Sequence, residues 1–257
     1  MTEYEISSGA LSARVSSAGA ELKSLRLRGR EYLWPGGAEW KWSAPVCCPY
    51  CGAVEGDGFT HGGAEYAAPR HGFVRESEHR LIEMGEGFCA LGLTVGEGDS
   101  RWPWPFELAA RFELGGDTLT LGYSVANVGA EPMPLQLGFH PGFLAPKGSV
   151  LRAERPELPG NTDELRLRPG LFDAGSVDLE KPKSAWFRLE RGDGGAVTVD
   201  ARGFGWFLLW GAPGETPFVC LEPWQGYVGP GALPERPGAV MLRPGESLSA
   251  ALKVRLE

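Results

Sequence analysis

The chain has 257 residues, 42% of them hydrophobic, with 9 Trp, 12 Phe and 6 Tyr, which is enough apolar material for a sizeable core without covalent staples. A formal charge of −8 and the lack of a clustered basic face exclude a surface built to track nucleic acid, and weigh against substrates carrying several phosphates. Five unevenly spaced cysteines exclude a secreted disulfide framework, and no stretch approaches the ~18 apolar residues of a membrane span.

Met1-Thr2-Glu3-Tyr4-Glu5 shows neither a basic nor a long apolar segment of a signal peptide, so a cytoplasmic protein is expected, monomeric or homodimeric. The dominant period along the chain is two. Leu22–Leu27 reads as the first clear strand, and Arg26-Leu27-Arg28-Gly29-Arg30 as its solvated face and turn. Phe106–Leu114 alternates in the same way. Thr118–Val125 puts Leu119, Leu121, Tyr123 and Val125 on one face. Ser149–Leu167 is polar and proline-rich and reads as a long loop. Trp186–Leu189 and Ala196–Val199 alternate again, with Gly192-Asp193-Gly194-Gly195 as a hairpin turn between them. Phe204–Trp210 and Phe218–Leu221 are continuously apolar, as expected of strands covered on both faces, and Pro223 ends the second. Ser247–Leu256 closes the chain with Leu248, Ala250, Leu252, Val254 and Leu256 on one side.

No window of 12 or more residues holds a 3.6-residue period, and 38 Gly with 21 Pro punctuate the runs as turns. Neither an internal repeat nor a linker is visible. The expectation is an all-β antiparallel sandwich, with residues 1–257 in one domain.

Chemistry is sought among few residues. Of the four histidines, His71 lies in Pro69-Arg70-His71-Gly72-Phe73-Val74-Arg75, and His140 in Leu137-Gly138-Phe139-His140-Pro141-Gly142-Phe143. Each is read at a strand end beside aromatic and turn residues, which sets an ionisable imidazole at a loop mouth. His61 and His79 lie in polar loop sequence and read as structural. Glu222 follows an apolar run in Phe218-Val219-Cys220-Leu221-Glu222-Pro223-Trp224. A carboxylate there needs a partner or a function, and burial moves its pKa toward that of a useful base. Trp224 offers a flat ring for the C–H face of a sugar. A strand-end salt bridge for Glu222 and turn-capping roles for the histidines are the plain structural alternatives.

Cys48-Pro49-Tyr50-Cys51 matches the C-P-Y-C of glutaredoxins, but no helical pattern follows to lower a thiol pKa. Cys47, Cys48, Cys51 and His61 lack a second ligand pair at zinc spacing. The thiols are expected to be small buried hydrophobes, and neither metal nor cofactor is expected.

Several segments resemble the galactose mutarotase-like, aldose 1-epimerase family in order along the chain. Phe139-His140-Pro141-Gly142-Phe143 resembles its G-x-HP-x-F segment and Leu221-Glu222-Pro223-Trp224 its E-P-W segment. His71-Gly72-Phe73-Val74-Arg75 resembles the HGF-x-R segment of the branch related to LacX. Gly19-Ala20-Glu21-Leu22, Glu31-Tyr32-Leu33-Trp34, Pro103-Trp104-Pro105-Phe106 and Leu242-Arg243-Pro244-Gly245-Glu246 are similar to further family segments.

The resemblance implies a large twisted antiparallel supersandwich with a sugar on an open concave face. It implies Glu222 as base, His140 as acid and His71 as a second ring-oxygen or hydroxyl contact; an acid–base enzyme should have Glu222 and His140 face each other across a gap one sugar wide, each within about 5–7 Å of that space. Arg75, Trp224 and Asp178 complete the expected sugar-binding set. The chain departs from relatives at Ala53, near the place of an Arg that contacts sugar hydroxyls. The Asp that follows a Leu-Phe pair in relatives has two counterparts, Asp173 and Asp178. The implied activity is cofactor-free interconversion of the anomers of a free sugar. A hexose-6-phosphate 1-epimerase using Arg70 and Arg75, and a non-catalytic carbohydrate-binding protein, are the alternatives. Trp40, Trp42, Trp102 and Trp104 are expected in the core.

Overall fold

The computed structural model describes residues 1–214 and 217–257. Among them there is no α-helix, only three 3₁₀ turns between many strands. The larger of two principal sheets has nine antiparallel strands. In spatial order they are Glu164–Arg166, Val150–Ala153, Trp186–Glu190, Ala196–Asp200, Ser247–Leu256, Thr118–Asn127, Phe106–Gly115, Phe88–Val95 and Arg80–Gly85. The second runs Val177–Glu180, Trp206–Trp210, Phe218–Trp224, Gly138–Phe139, Val46–Cys47, and Gly142–Leu144 also pairs with Phe218–Trp224. A four-stranded sheet, Glu3–Ser8 to Arg30–Glu31, opens the chain.

The two-residue period explains how the sheets meet. Leu119, Leu121, Tyr123 and Val125 are all buried, while the residues between them are half-exposed. From this face Tyr123 packs on Phe139 of the second sheet, with ring centroids 5.2 Å apart. Phe187 stacks on Phe207 across the same interface at 3.9 Å. Truncating such a core ring to Ala costs about 3–5 kcal/mol, through lost burial and the cavity left behind.

Two expectations about elements are corrected. Ser149–Leu167 is not one loop: Val150–Ala153 and Glu164–Arg166 are paired strands at the edge of the larger sheet. Val150, Leu151 and Ala153 supply a short buried face, and Arg152 bridges Glu164 and Glu190 on the other. Charge on an edge strand blocks stray pairing, and it also hides the strand from a hydrophobicity pattern. Pro223 does not end its strand: it lies opposite Phe207, and the ladder runs on to Trp206 opposite Trp224. The ring's φ suits an extended chain, so the insertion forfeits one donor and no more.

Candidate active site

The strand Phe218–Trp224 is buried throughout, and its alternation splits it into two faces. Val219 and Leu221 enter the main core. Phe218 and Cys220 face the other way into a cluster with Trp34, Trp40 and Trp210. Glu222 and Trp224 continue this second face into a cleft of about 530 Å³. Gly138 pairs opposite both Trp224 and Cys47, so His140 follows directly beside Glu222. Only glycine fits there: a Cβ on Gly138 would come within 2.6 Å of the Trp224 ring.

His140 Nε2 stands 3.2 Å from a Glu222 carboxylate oxygen. The pair therefore touches, where the sequence reading set it across a gap one sugar wide. Both line the cleft, so its open space lies over the pair rather than between its members. Trp40 stacks on the His140 ring at 5.0 Å, and Trp210 meets its edge at 5.8 Å. Burial lifts the Glu222 carboxyl well above the usual carboxylate range, with Cys47 and Asp178 adding to the effect. Burial, aided by the charge of Arg75, pushes the His140 imidazole down to about 3.

His71 is not at a strand end. It occupies a left-handed turn, φ 65°, just before the 3₁₀ turn Val74–Glu76. Such backbone costs about 1–3 kcal/mol in a non-glycine residue and gathers at functional sites. Gly72 must follow it, because a Cβ there would lie 2.1 Å from the Cys48 carbonyl oxygen. The Gly52 N–H donates to His71 Nδ1 at 3.1 Å, and the Cys47 thiol lies 3.2 Å from the same atom. Nδ1 is thus the acceptor, and the hydrogen-bond pattern assigns the ring proton to Nε2. Burial and then the neighbouring His140 hold this ring neutral. His71 lines the cleft 5.3 Å from His140 and 5.4 Å from Trp224.

Arg75, Arg70 and Lys41 bring three cations to the cleft wall. Arg75 donates to the Arg70 carbonyl at 2.6 Å and lies over the Trp42 ring. Gly19 packs against its backbone so closely that a Cβ would approach the Arg75 oxygen to 2.3 Å. Nearby, the buried Glu21 carboxylate accepts from the Ser43 and Ala44 N–H groups, which ties down the segment carrying Trp40, Lys41 and Trp42. Trp40 and Trp42 therefore wall the cleft, against the expectation of a core position, whereas Trp102 and Trp104 are core residues as expected.

Asp178 stands in line with Leu208 and Glu222 across three strands, exposed and hydrogen-bonded to the Tyr227 hydroxyl. Asp173 accepts from the Gly214 N–H at 2.7 Å on a separate loop. His61 ends the strand Gly58–His61 and packs on Trp104 at 4.3 Å, and His79 is buried against the Ser77 carbonyl. Both are structural, although His79 is far less exposed than its polar surroundings suggest.

The sequence reading missed a set of supports. Gln136 accepts from the Cys51 N–H and donates to the Tyr227 and Pro237 carbonyls. Arg236 donates to the Cys51 and Ala53 carbonyls. Together they clamp the turn whose Gly52 N–H fixes His71. Near Ala53 a guanidinium is indeed present, but Arg236 spends it on backbone. A polar Gln136 inside the apolar run Pro134–Leu137 was the available signal; Arg236, between Glu235 and Pro237, gave none.

All five cysteines are buried and unpaired. Burial pushes the Cys47, Cys48 and Cys220 thiols up, the reverse of what redox catalysis needs. A hollow of about 700 Å³ lies outside the larger sheet, but its arginines are spent on ion pairs such as Arg188–Glu257 and Arg202–Asp200. The cleft with buried, perturbed titratable groups is the candidate site.

The family model described as aldose 1-epimerase matches residues 2–168. The plasmid LacX protein of Lactococcus lactis subsp. lactis is 27% identical, over 86% of this chain and 87% of its own length. The uncharacterized protein YphB of Escherichia coli K12 is 26% identical over 100% of this chain and 99% of its own. A galactose mutarotase related enzyme from Lactobacillus acidophilus superposes with a TM-score of 0.91 at 23% identity, covering 100% and 97% of the two chains. A galactose mutarotase-like protein from Lactobacillus casei ATCC 334 gives 0.90 at 24% identity, with full coverage of both. These likenesses establish the supersandwich fold, and three of the segments that resemble the family, those holding His71, His140 and Glu222, line the cleft. The chain belongs to the aldose 1-epimerase family and is an isomerase of that kind.

Proposed function

We propose that the protein interconverts the α and β anomers of a free sugar by acid–base ring opening. The observation that carries this reading is the direct Glu222–His140 contact on the floor of a tryptophan-walled cleft. The pair holds one proton, and the reactive form carries it on His140. Glu222 takes the proton of the anomeric hydroxyl while His140 gives its proton to the ring oxygen. The C1–O5 bond breaks, the open aldehyde rotates about C1–C2, and closure on the other face returns both protons. Nothing is consumed, so positioning and proton transfer supply the acceleration. The neutral His71 ring donates its Nε2–H to the ring oxygen or a neighbouring hydroxyl. Trp224 supports the C–H face of the sugar, and Arg75 and Asp178 hold hydroxyls at the rim.

Polarimetry of freshly dissolved α-D-galactose, α-D-glucose and other aldoses tests this. The expected result is faster decay of optical rotation than in buffer for at least one aldose. A chain that leaves every decay unchanged is a binder and not this enzyme.

A second reading, epimerisation of a hexose 6-phosphate, is favoured by Lys41, Arg70 and Arg75 converging on one wall. It predicts that Arg70→Ala raises KM for the phosphorylated sugar at least about tenfold while leaving the free sugar unaffected, the loss of one charge-assisted phosphate contact. Equal effects on both substrates would contradict it.

A further inference from the structure

The acid–base reaction proposed above uses two of three ligand-bearing side chains that meet at the cleft, His140 and Glu222 lining it and Cys220 buried just behind them. Cys220 lies two residues before Glu222 on the same strand face, and His140 closes over both. A ring nitrogen of His140, Sγ of Cys220 and a carboxylate oxygen of Glu222 all lie within 4.8 Å of one another. All three side chains are buried. Room beside the thiol comes from Gly142, where a Cβ would approach Cys220 Sγ to 3.4 Å and the Trp40 ring to 2.9 Å. Besides its place in ring opening, His140 keeps Nδ1 without a hydrogen-bond partner.

We propose that His140, Cys220 and Glu222 form a reversible inhibitory site for a thiophilic divalent cation of the zinc type. Thiolate, imidazole and carboxylate are the donor set that such ions select. Ligand bonds of about 2.0–2.3 Å place tetrahedral donors roughly 3.3–3.8 Å apart, so side-chain rotations alone gather the three atoms. Charge also favours the assembly. One thiolate, one carboxylate and one neutral imidazole around a dication sum to zero, so the complex carries no net charge into the low-dielectric floor.

The fourth coordination position opens toward the cleft and takes water. A metal held there occupies both members of the catalytic pair and competes with the sugar. Binding expels the thiol proton and the proton held by the Glu222–His140 pair, so affinity rises with pH. The groups facing the site are His71, Arg75, Cys47 and Asp178. Arg75 opposes the cation, and Asp178 favours it.

Only the inhibitory consequence rests on the proposed reaction; metal binding does not. Zinc chloride alone is titrated into the full chain in a non-chelating buffer, and cobalt(II) is added in a parallel optical titration. The expected results are one equivalent bound with proton release, a thiolate-to-cobalt charge-transfer band, and mutarotation lost with zinc and restored by EDTA. Cys220→Ala, and Cys220→Ser as a second variant, abolish the band and weaken zinc binding at least about tenfold, since losing a direct ligand costs no less than losing one of the groups that orient a ligand, about 10–100-fold. Absence of the band in the wild-type chain, or its persistence in both variants, overturns the site; persistence would assign it to Cys47 and Cys51. Binding with undiminished mutarotation overturns the inhibition. Binding by a chain that shows no mutarotation with any aldose supports the metal site and overturns the function proposed above.

Discussion

In the proposed reaction, Glu222 and His140 gain their reactivity from the same burial that makes them costly. Burial lifts the Glu222 carboxyl, so the folded chain holds that proton more tightly than the unfolded chain does. A raised group stabilises fully below its unfolded value of 4.5, and the contribution is lost as pH rises through the folded value. His140 has the opposite sign. Its ring falls from 6.5 to about 3, so stability present above 6.5 is lost as pH falls toward the folded value. Glu222→Gln keeps a donor for the imidazole and removes the charge. At about pH 8 it is expected to stabilise the fold by about 1–3 kcal/mol, the scale of a poorly satisfied buried polar group. The gap should close below about pH 4, under the unfolded value of 4.5, where the wild-type carboxyl is protonated in both states. Denaturant midpoints at the two pH values check this; a variant less stable than wild type at the higher pH contradicts it. Of the site residues, Glu222, His140, His71 and Trp224 were legible because polar groups interrupt apolar runs beside turns. Their direct contact was not, since a strand pattern fixes which face a side chain takes and not how two loops close. Cys220 was legible only as a hydrophobe.

At the scale of elements, the site depends on the strand Phe218–Trp224 and on the clamped turn at 51–53. Thr118–Asn127, Phe106–Gly115 and Ser247–Leu256 were readable because one face is core and the other solvent. Glu164–Arg166 was not, because an edge strand armed with charge has no such contrast. The turn at 51–53 hangs on Gln136 and Arg236, which arrive from distant parts of the chain. These are positioning residues for His71. Arg236→Met keeps much of the packing against Tyr50 but forfeits both carbonyl contacts. It is expected to cost about 1–3 kcal/mol of stability. It should also raise KM for the sugar several-fold more than it lowers kcat, because in the proposed reaction His71 holds the substrate while Glu222 and His140 move protons. A loss confined to thermal stability, with unchanged KM, would show that the clamp does not reach the site.

Over the whole molecule, segments spread from Gly19 to Trp224 serve one face of the smaller sheet. Gly19 and Glu21 brace the Arg75 and Trp42 wall, Gly138–Gly142 brings in His140, and the strand Phe218–Trp224 brings in Glu222. Their order along the chain made the family legible, while their convergence is a property of the sheet topology. Under the second reading, a chain of charge −8 that gathers Arg70, Arg75 and the Glu76-paired Lys41 at one cleft would favour an anionic sugar there. That field is screened within a Debye length of about 8 Å at physiological salt, so any preference for a charged sugar should fall as salt is added.

The central claim is that Glu222 and His140 exchange protons with a bound sugar. Its most direct measurement is the polarimetric rate for Glu222→Gln beside wild type, on the aldose that the wild-type chain turns over fastest. The expected result is a folded protein that still binds the sugar and loses about 10²–10⁴ in rate, the scale of a removed general base. A Glu222→Gln protein within a few-fold of the wild-type rate would contradict the account.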